Sequence, residues 1–151
     1  MGFFYLETSA LVKLYVRESG TERMLALADR SNENRLAVLA LSQTELRSAV
    51  RRRERNGEIP SLVAAQLLDS FKRHLEARFL SQTITDFVLD IASALVDRHA
   101  LRAYDAVQLA GYVALHGSAG IDEPVFVCSD HMLLAAAREE RIPVWDPTTG
   151  P

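Results

Sequence analysis

Short continuous apolar segments alternate along the chain with longer segments in which apolar residues recur every three or four positions. The short segments Phe3–Leu6, Leu36–Ala40 and Val125–Cys128 have the length and composition of strands buried on both faces of a sheet. The longer segments have the spacing of amphipathic helices. This alternation predicts an α/β fold with a mostly parallel central sheet of four to five strands, flanked by helices on both sides.

The boundaries of the helices are predicted from residues that commonly begin or end them. Helices are expected to begin near Ala10, Thr21, Ser42, Pro60, Asp86, Tyr104 and Asp130. Those that begin at Ser42, Asp86, Tyr104 and Asp130 are expected to end near Arg55, His99, His116 and Glu140. A loop is predicted over residues 117–123, and weaker patterns indicate short strands at 78–80 and 143–145.

Length and composition favour one domain that spans residues 1–151, because 151 residues with 48% hydrophobic content can bury a substantial core. The net charge of −3 excludes a protein that coats nucleic acid through its overall charge, although a local basic face stays open. The single cysteine, Cys128, lies in an apolar segment, which indicates a buried thiol in a reduced compartment. We therefore expect a cytoplasmic protein without a membrane partner.

Acidic residues follow the predicted strands. Glu7 ends the first strand, Glu45 lies shortly after the second, and Asp130 lies two residues after Cys128. Asp105 differs, because it falls in the first turn of a helix. Ligands of open α/β sheets collect at the carboxyl ends of the strands, so we expect these four carboxylates to meet there.

Each acid also has a structural explanation. Ser42-Gln43-Thr44-Glu45 fits a capping box, Asp130 is well placed as an N-cap, and Asp105 complements the helix dipole. A structural α/β domain whose acids merely cap helices therefore remains an alternative. A gain in thermal stability with Mg²⁺ would argue against it, because a cation that binds only the folded state stabilises that state.

Four converging carboxylates repel one another unless a cation lies among them. Oxygen ligands without a His or Cys cluster favour Mg²⁺ or Mn²⁺, and such an ion can promote hydrolysis of a phosphodiester. The hydroxyl groups of Thr8, Ser9 and Ser129 are candidates for orienting the carboxylates or a water molecule, although they are equally suited to capping helices.

Basic residues near these acids are candidates for contacting phosphates. Lys13, Arg17 and Arg102 lie close in sequence to Glu7 or Asp105. Five arginines follow Glu45 on one predicted helix, namely Arg47, Arg51, Arg52, Arg53 and Arg55, and Arg47 and Arg51 share one face of it. A solvated basic face is the alternative for the arginines that follow Glu45. As phosphate contacts they would bind without sequence preference, and single-stranded or loop RNA is the expected target class.

Four segments of the chain resemble the PIN-domain ribonucleases, in particular the VapC-type toxins of toxin-antitoxin modules. They are Tyr5–Tyr15, Ser42–Ala49, Leu101–Ala110, and Val127–Asp130 with Leu133 and Ala135–Ala137. The resemblance covers nearly the whole chain. It implies a metal-dependent endoribonuclease that forms a homodimer and binds an antitoxin protein in its active-site groove.

One residue departs from the pattern of that family, whose first acid is normally Asp where this chain has Glu7. We expect the extra methylene group to move the carboxylate outward, and a displacement of about 1 Å in an active site can slow turnover about 10²-fold. Metal binding should suffer less than turnover. The alternative function is therefore a catalytically weak PIN-like domain that binds RNA or an antitoxin.

Overall fold

Five parallel strands form the central sheet in the computed structural model, which describes residues 1–119 and 122–149. The strands are β1 (Phe3–Leu6), β2 (Arg35–Leu39), β3 (Phe79–Gln82), β4 (Val125–Val127) and β5 (Val144–Trp145). Their order across the sheet is β3-β2-β1-β4-β5, and all neighbouring pairs are parallel. The predicted α/β class is confirmed, including both weakly predicted strands.

Seven α-helices connect the strands in the described part of the chain. They are α1 (Thr8–Leu11), α2 (Thr21–Ala28), α3 (Ser42–Arg55), α4 (Ser61–Ala77), α5 (Asp86–Arg98), α6 (Ala103–Ala119) and α7 (His131–Glu139). A short 3-10 helix, Val12–Leu14, continues α1. The loop predicted from Gly117 begins too early, because α6 continues to Ala119; residues 120 and 121 of that prediction lie outside the described residues.

The side chains of β1, β2, β4 and β5 alternate between two apolar cores, one on each face of the sheet. Phe3 and Tyr5 of β1 point into a core with residues of α5, α6 and α7, whereas Leu6 points into a core with residues of α1 to α4. The helices thus cover both faces, as predicted, and the central strands β1 and β4 are buried on both sides.

The order of the strands reverses at β1, since the chain adds β2 and β3 on one side of it and β4 and β5 on the other. Such a reversal opens a crevice at the carboxyl ends of the strands, where the loops leave in opposite directions. Glu7 follows β1 directly at this point. Within the described residues, the helices are all too short or too polar to cross a membrane.

Candidate active site

A cleft of about 670 Å³ lies at the carboxyl ends of β1 and β4, and all four predicted acids line it. Glu7 comes from the end of β1, Glu45 from α3, Asp105 from the first turn of α6, and Asp130 from the residue before α7. Four separate segments of the chain therefore supply one carboxylate each. The other residues of the lining are Thr8, Ser9, Val12, Lys13, Glu18, Leu41, Thr44, Ser48, Ala49, Arg52, Arg53, Arg102, Tyr104 and Ser129.

The side chain of Glu7 turns back toward the start of α1, where it accepts hydrogen bonds from the backbone N–H of Ser9, at 2.8 Å, and from the Ser9 hydroxyl group. Glu7 is only 5% exposed, so the expectation that the longer side chain moves the carboxylate outward is wrong. Burial raises the pKa of Glu7 to about 7 against the opposing effect of the Ser9 hydrogen bonds, and the nearby Glu45 carboxylate adds to the increase.

Glu45 does not close a capping box. Leu41 is the N-cap of α3, and its side chain makes no capping hydrogen bond. Instead, Oε1 of Glu45 accepts hydrogen bonds from the Thr8 hydroxyl group at 3.0 Å and from Nε2 of Gln108 at 2.6 Å. The capping prediction fails because Ser42 and Glu45 both bond to Gln108 of α6, which is distant in sequence.

The two aspartates have different local roles. Asp130 is the N-cap of α7, as predicted, because its Oδ1 accepts a hydrogen bond from the backbone N–H of Leu133 at 3.0 Å. Asp105 lies in the first turn of α6, and Nε of Arg102 approaches its Oδ2 at 3.3 Å. The other oxygen of each aspartate is left for additional ligands at the cleft.

The three candidate hydroxyl residues lie beside the acids. Thr8 bonds to Glu45, and the Ser9 hydroxyl donates to Glu7 while it accepts the backbone N–H of Ser129 at 2.9 Å. Ser9 thereby ties the loop after β4 to the start of α1. The hydroxyl oxygen of Ser129 is buried, and it has no hydrogen-bond partner among the described residues.

The basic residues of the cleft differ in part from those predicted. Lys13 and Arg102 line it, but Arg47 and Arg51 lie outside the lining, and the Arg51 side chain pairs with Glu54 at 2.8 Å. Arg52 and Arg53, from the same group of candidate arginines, line the cleft instead. RNA contact by Arg47 and Arg51 stays a prediction.

Two residues of this region were not predicted from the sequence. Glu18 bridges two cleft cations, because Oε1 lies 2.8 Å from Nζ of Lys13 and Oε2 lies 2.7 Å from Nη2 of Arg53. Gln108 lies fully buried in α6 and bonds to Glu45. Gln108 has a visible signal, since it is the one polar residue in the apolar segment Ala106–Ala110. No comparable pattern marks Glu18.

The acids are suited in kind to a divalent cation, because carboxylate oxygens are the ligands that Mg²⁺ and Mn²⁺ prefer. Residues 1–119 and 122–149 include no group of three or more His, Cys, Asp or Glu residues already placed to hold such an ion. The Glu7 and Asp130 side chains each bond to a helix N-terminus through one carboxylate oxygen, Oε2 and Oδ1 respectively, so ligation would use the other oxygen. A bound cation would stabilise the ionised form of the buried Glu7 carboxyl group, which lies near Glu45.

Comparison with known families adds to this geometry. The sequence model of the PIN domain matches residues 4–119, which include all of β1 but its first residue, β2, β3, α1 to α6 and three of the four acids. The chain belongs to the PIN domain family. The resemblance that the sequence motifs indicated is thereby confirmed. PIN domains are generally nucleases, and they typically use divalent metal ions.

Solved structures with the same PIN fold include toxins bound to antitoxins. A toxin-antitoxin complex from Klebsiella pneumoniae has a TM-score of 0.65 at 14% identity, covering 95% of this chain and 97% of that chain. VapBC2 from Rickettsia felis, bound to a DNA fragment from its promoter, has a TM-score of 0.62 at 12% identity, covering 95% and 98%.

A protein from Pyrobaculum aerophilum also shares the PIN fold, with a TM-score of 0.62 at 23% identity, covering 99% of this chain and 85% of that chain. At these identities the similarity establishes the fold. No curated protein sequence matches the chain significantly.

Proposed function

We propose that this PIN domain is a metal-dependent endoribonuclease that hydrolyses RNA phosphodiester bonds, and that it is the toxin of a type II toxin-antitoxin module. The observation that carries the proposal is the convergence of Glu7, Glu45, Asp105 and Asp130, from four separate segments, on one cleft with basic side chains in its wall. Phosphodiester hydrolysis uses both features, since carboxylates hold the metal ion and cations hold the phosphates.

The four acids would hold Mg²⁺ or Mn²⁺, which when bound polarises a phosphoryl oxygen and activates water. Lys13, Arg53 and Arg102 line the same cleft and would bind the phosphates on either side of the scissile bond. Thr8 and Ser9 orient Glu45 and Glu7 through the hydrogen bonds described above. Arg47 and Arg51 would extend the phosphate path along the exposed part of α3.

A cognate antitoxin and a second copy of the chain are the proposed protein partners. The toxin-antitoxin complexes that share this fold motivate the antitoxin partner. The antitoxin would bind in the same cleft. Large apolar side chains remain exposed on two helices that follow one another along the chain, among them Leu62 of α4 and Phe87 of α5. These side chains are the candidate surface for a homodimer, whereas Phe71 and Leu95 of the same helices are buried in the monomer.

The test is cleavage of a mixed RNA pool by the purified protein with Mg²⁺ or Mn²⁺, with EDTA and the Asp105→Asn variant as controls. We expect cleavage that requires the metal and is lost in Asp105→Asn, because Asp105 is one of the four cleft carboxylates. Cleavage that persists in EDTA or in Asp105→Asn would contradict the proposal, since neither the metal nor the cluster would then be needed.

A second candidate is a PIN domain that binds RNA or an antitoxin with little cleavage. The burial of Glu7 and its hydrogen bonds to Ser9 favour this alternative, because they occupy the carboxylate that the family normally supplies from Asp. The Glu7→Asp variant distinguishes the nuclease from the binding domain. Cleavage by this variant but not by the native protein would establish the binding function. Metal affinity in native protein equal to that of Glu7→Ala would exclude Glu7 as a ligand.

A further inference from the structure

A glutamine lies under the floor of the cleft with three polar side chains around its amide nitrogen. Nε2 of Gln108 lies 2.6 Å from Oε1 of Glu45, 3.0 Å from Oγ1 of Thr8 and 3.2 Å from Oγ of Ser42. Gln108 is fully buried, and these three residues come from α1 and α3. The amide therefore joins α6 to both elements that flank the cleft.

The orientation of the Gln108 amide is fixed by its partners. An ionised carboxylate only accepts hydrogen bonds, so the nitrogen and not the oxygen of the amide must face Glu45. As a result Oε1 of Gln108 is buried without a hydrogen-bond partner among the described residues. An unpartnered buried oxygen is unfavourable for folding, and an apolar side chain of similar size would avoid it. The unpartnered oxygen therefore offsets part of the stability that the contacts of the amide nitrogen with Glu45, Thr8 and Ser42 supply.

The backbone of Gln108 is fixed as firmly as its side chain. Its carbonyl oxygen accepts a hydrogen bond from the hydroxyl group of Tyr5 at 2.9 Å, and Tyr5 belongs to β1. The amide nitrogen thus occupies a defined position relative to the strand that leads to Glu7. It is well placed to hold another side chain in one orientation.

Both hydrogen bonds to Glu45 end on the same oxygen. Thr8 and Gln108 donate to Oε1, and in residues 1–119 and 122–149 no donor bonds to Oε2. We propose that Gln108 is a positioning residue for the cleft, which holds Glu45 by Oε1 and leaves Oε2 available to bind a divalent cation. This inference rests on the proposed function, because it deepens the role of Glu45 in the same site. Outer hydrogen bonds of this kind commonly change metal affinity 10- to 100-fold when they are removed.

Calorimetric titration of the full chain with Mn²⁺, without RNA, tests the inference. The variants are Gln108→Leu, the near-isosteric Gln108→Met, Glu45→Gln, and the double variant Gln108→Leu with Glu45→Gln. Gln66→Leu makes the same change at an exposed site on α4 and is the matched control. Urea unfolding of each variant measures stability separately.

We expect Gln108→Leu and Gln108→Met to bind Mn²⁺ about tenfold more weakly. Unfolding stability should also fall, because the buried Ser42 hydroxyl group and Glu45 lose a hydrogen-bond partner, and the urea series measures that loss separately from the metal affinity. In the Glu45→Gln background, Gln108→Leu should cause no further loss, because Gln108 acts through Glu45. Gln66→Leu should match the native protein. Unchanged affinity in both Gln108 variants, or an equal loss in the Glu45→Gln background, would overturn the inference.

The outcome is separable from that of the proposed function. Weaker Mn²⁺ binding in the Gln108 variants of a protein that does not cleave RNA would support the positioning role and exclude the nuclease. Absence of Mn²⁺ binding by the native chain would overturn the positioning role and the metal dependence together. If the Gln108 variants cleave RNA and bind Mn²⁺ with normal affinity, the result would support the nuclease function and exclude the positioning role.

Discussion

The carboxyl group of Glu7 lies in an environment that opposes its ionisation. It is buried at the end of β1, and the Glu45 carboxylate lies close enough to repel it electrostatically. The hydrogen bonds from Ser9 offset only part of this effect, so the pKa is raised from 4.5 to about 7. A site with this property is less stable when its acids are ionised and no cation is bound.

Glu7→Gln should therefore stabilise the metal-free protein at alkaline pH. The pKa of Glu7 in the folded state exceeds its value of 4.5 in the unfolded state, so at pH values between these two pKa values unfolding releases a proton. The free energy of unfolding therefore falls as pH rises from 4.5 to about 7. Gln keeps the oxygen that accepts from Ser9 but cannot ionise. In EDTA, urea unfolding should show a gain that is about 2 to 3 kcal/mol larger at about pH 8 than at about pH 5.

Glu22→Gln is the matched control, because Glu22 forms an exposed ion pair with Arg17 on the surface. Its effect on unfolding should be small at both pH values. A gain in Glu7→Gln that does not change with pH would mean that the carboxyl group is not desolvated in solution.

Individual residues of the site were predictable where a local pattern marked them. The four acids follow strands or begin helices, and that placement is visible in the sequence. The capping box at Ser42 was wrong because a contact from Gln108, 66 residues away from Ser42, decides where these side chains point. Glu18 escaped prediction for the same reason, since its bond to Arg53 spans 35 residues.

At the scale of elements, the close approach of α6 to the sheet is what brings Gln108 and Asp105 to the cleft. Gly111 permits this approach. A Cβ atom at this position would overlap the Tyr5 hydroxyl oxygen and would lie 2.6 Å from Cδ1 of Leu39. The Tyr5 hydroxyl group is the one that bonds to the Gln108 carbonyl oxygen, so the packing of the helix and the geometry of the site depend on each other.

Gly111→Ala should destabilise the fold by about 1 to 3 kcal/mol, because the added methyl group forces α6 away from β1 and β2. Gly117→Ala is the matched control on the same helix, since a Cβ there meets nothing within 4 Å. It should stabilise by up to about 1 kcal/mol through helix propensity. Urea unfolding of both variants checks this, and equal effects would show that α6 does not pack this closely.

The elements themselves were predictable in proportion to the strength of their local pattern. The strands β1, β2 and β4 are continuous apolar segments and were placed to within a residue or two. The prediction for β3 was weak because this edge strand leaves Leu80 exposed and has only one neighbour in the sheet. The end of α6 was placed too early because Gly117 was treated as a helix terminator, whereas it is a helical residue in open space.

At the scale of the whole molecule, the cleft concentrates both kinds of charge, because four cations and five carboxylates line it. The net charge of the chain is −3, and the cations of the cleft are Lys13, Arg52, Arg53 and Arg102. Glu18 neutralises two of these cations with one carboxylate, at distances of 2.8 Å and 2.7 Å. Any phosphate that binds Lys13 or Arg53 must compete with this carboxylate, so Glu18 is expected to limit the affinity for RNA.

Glu18→Gln should therefore bind single-stranded RNA about 3- to 10-fold more tightly at low salt, because Lys13 loses its competing anion and Arg53 keeps only the longer contact with Glu58, at 3.8 Å. The salt dependence should also become steeper, since each added phosphate contact contributes about 0.7 to the slope for single strands. Fluorescence anisotropy in EDTA measures both quantities without cleavage. Glu22→Gln changes the net charge equally at an ion pair outside the cleft lining and should leave both unchanged. If Glu18→Gln and Glu22→Gln gain RNA affinity equally, overall charge and not the Lys13–Glu18–Arg53 bridge governs binding.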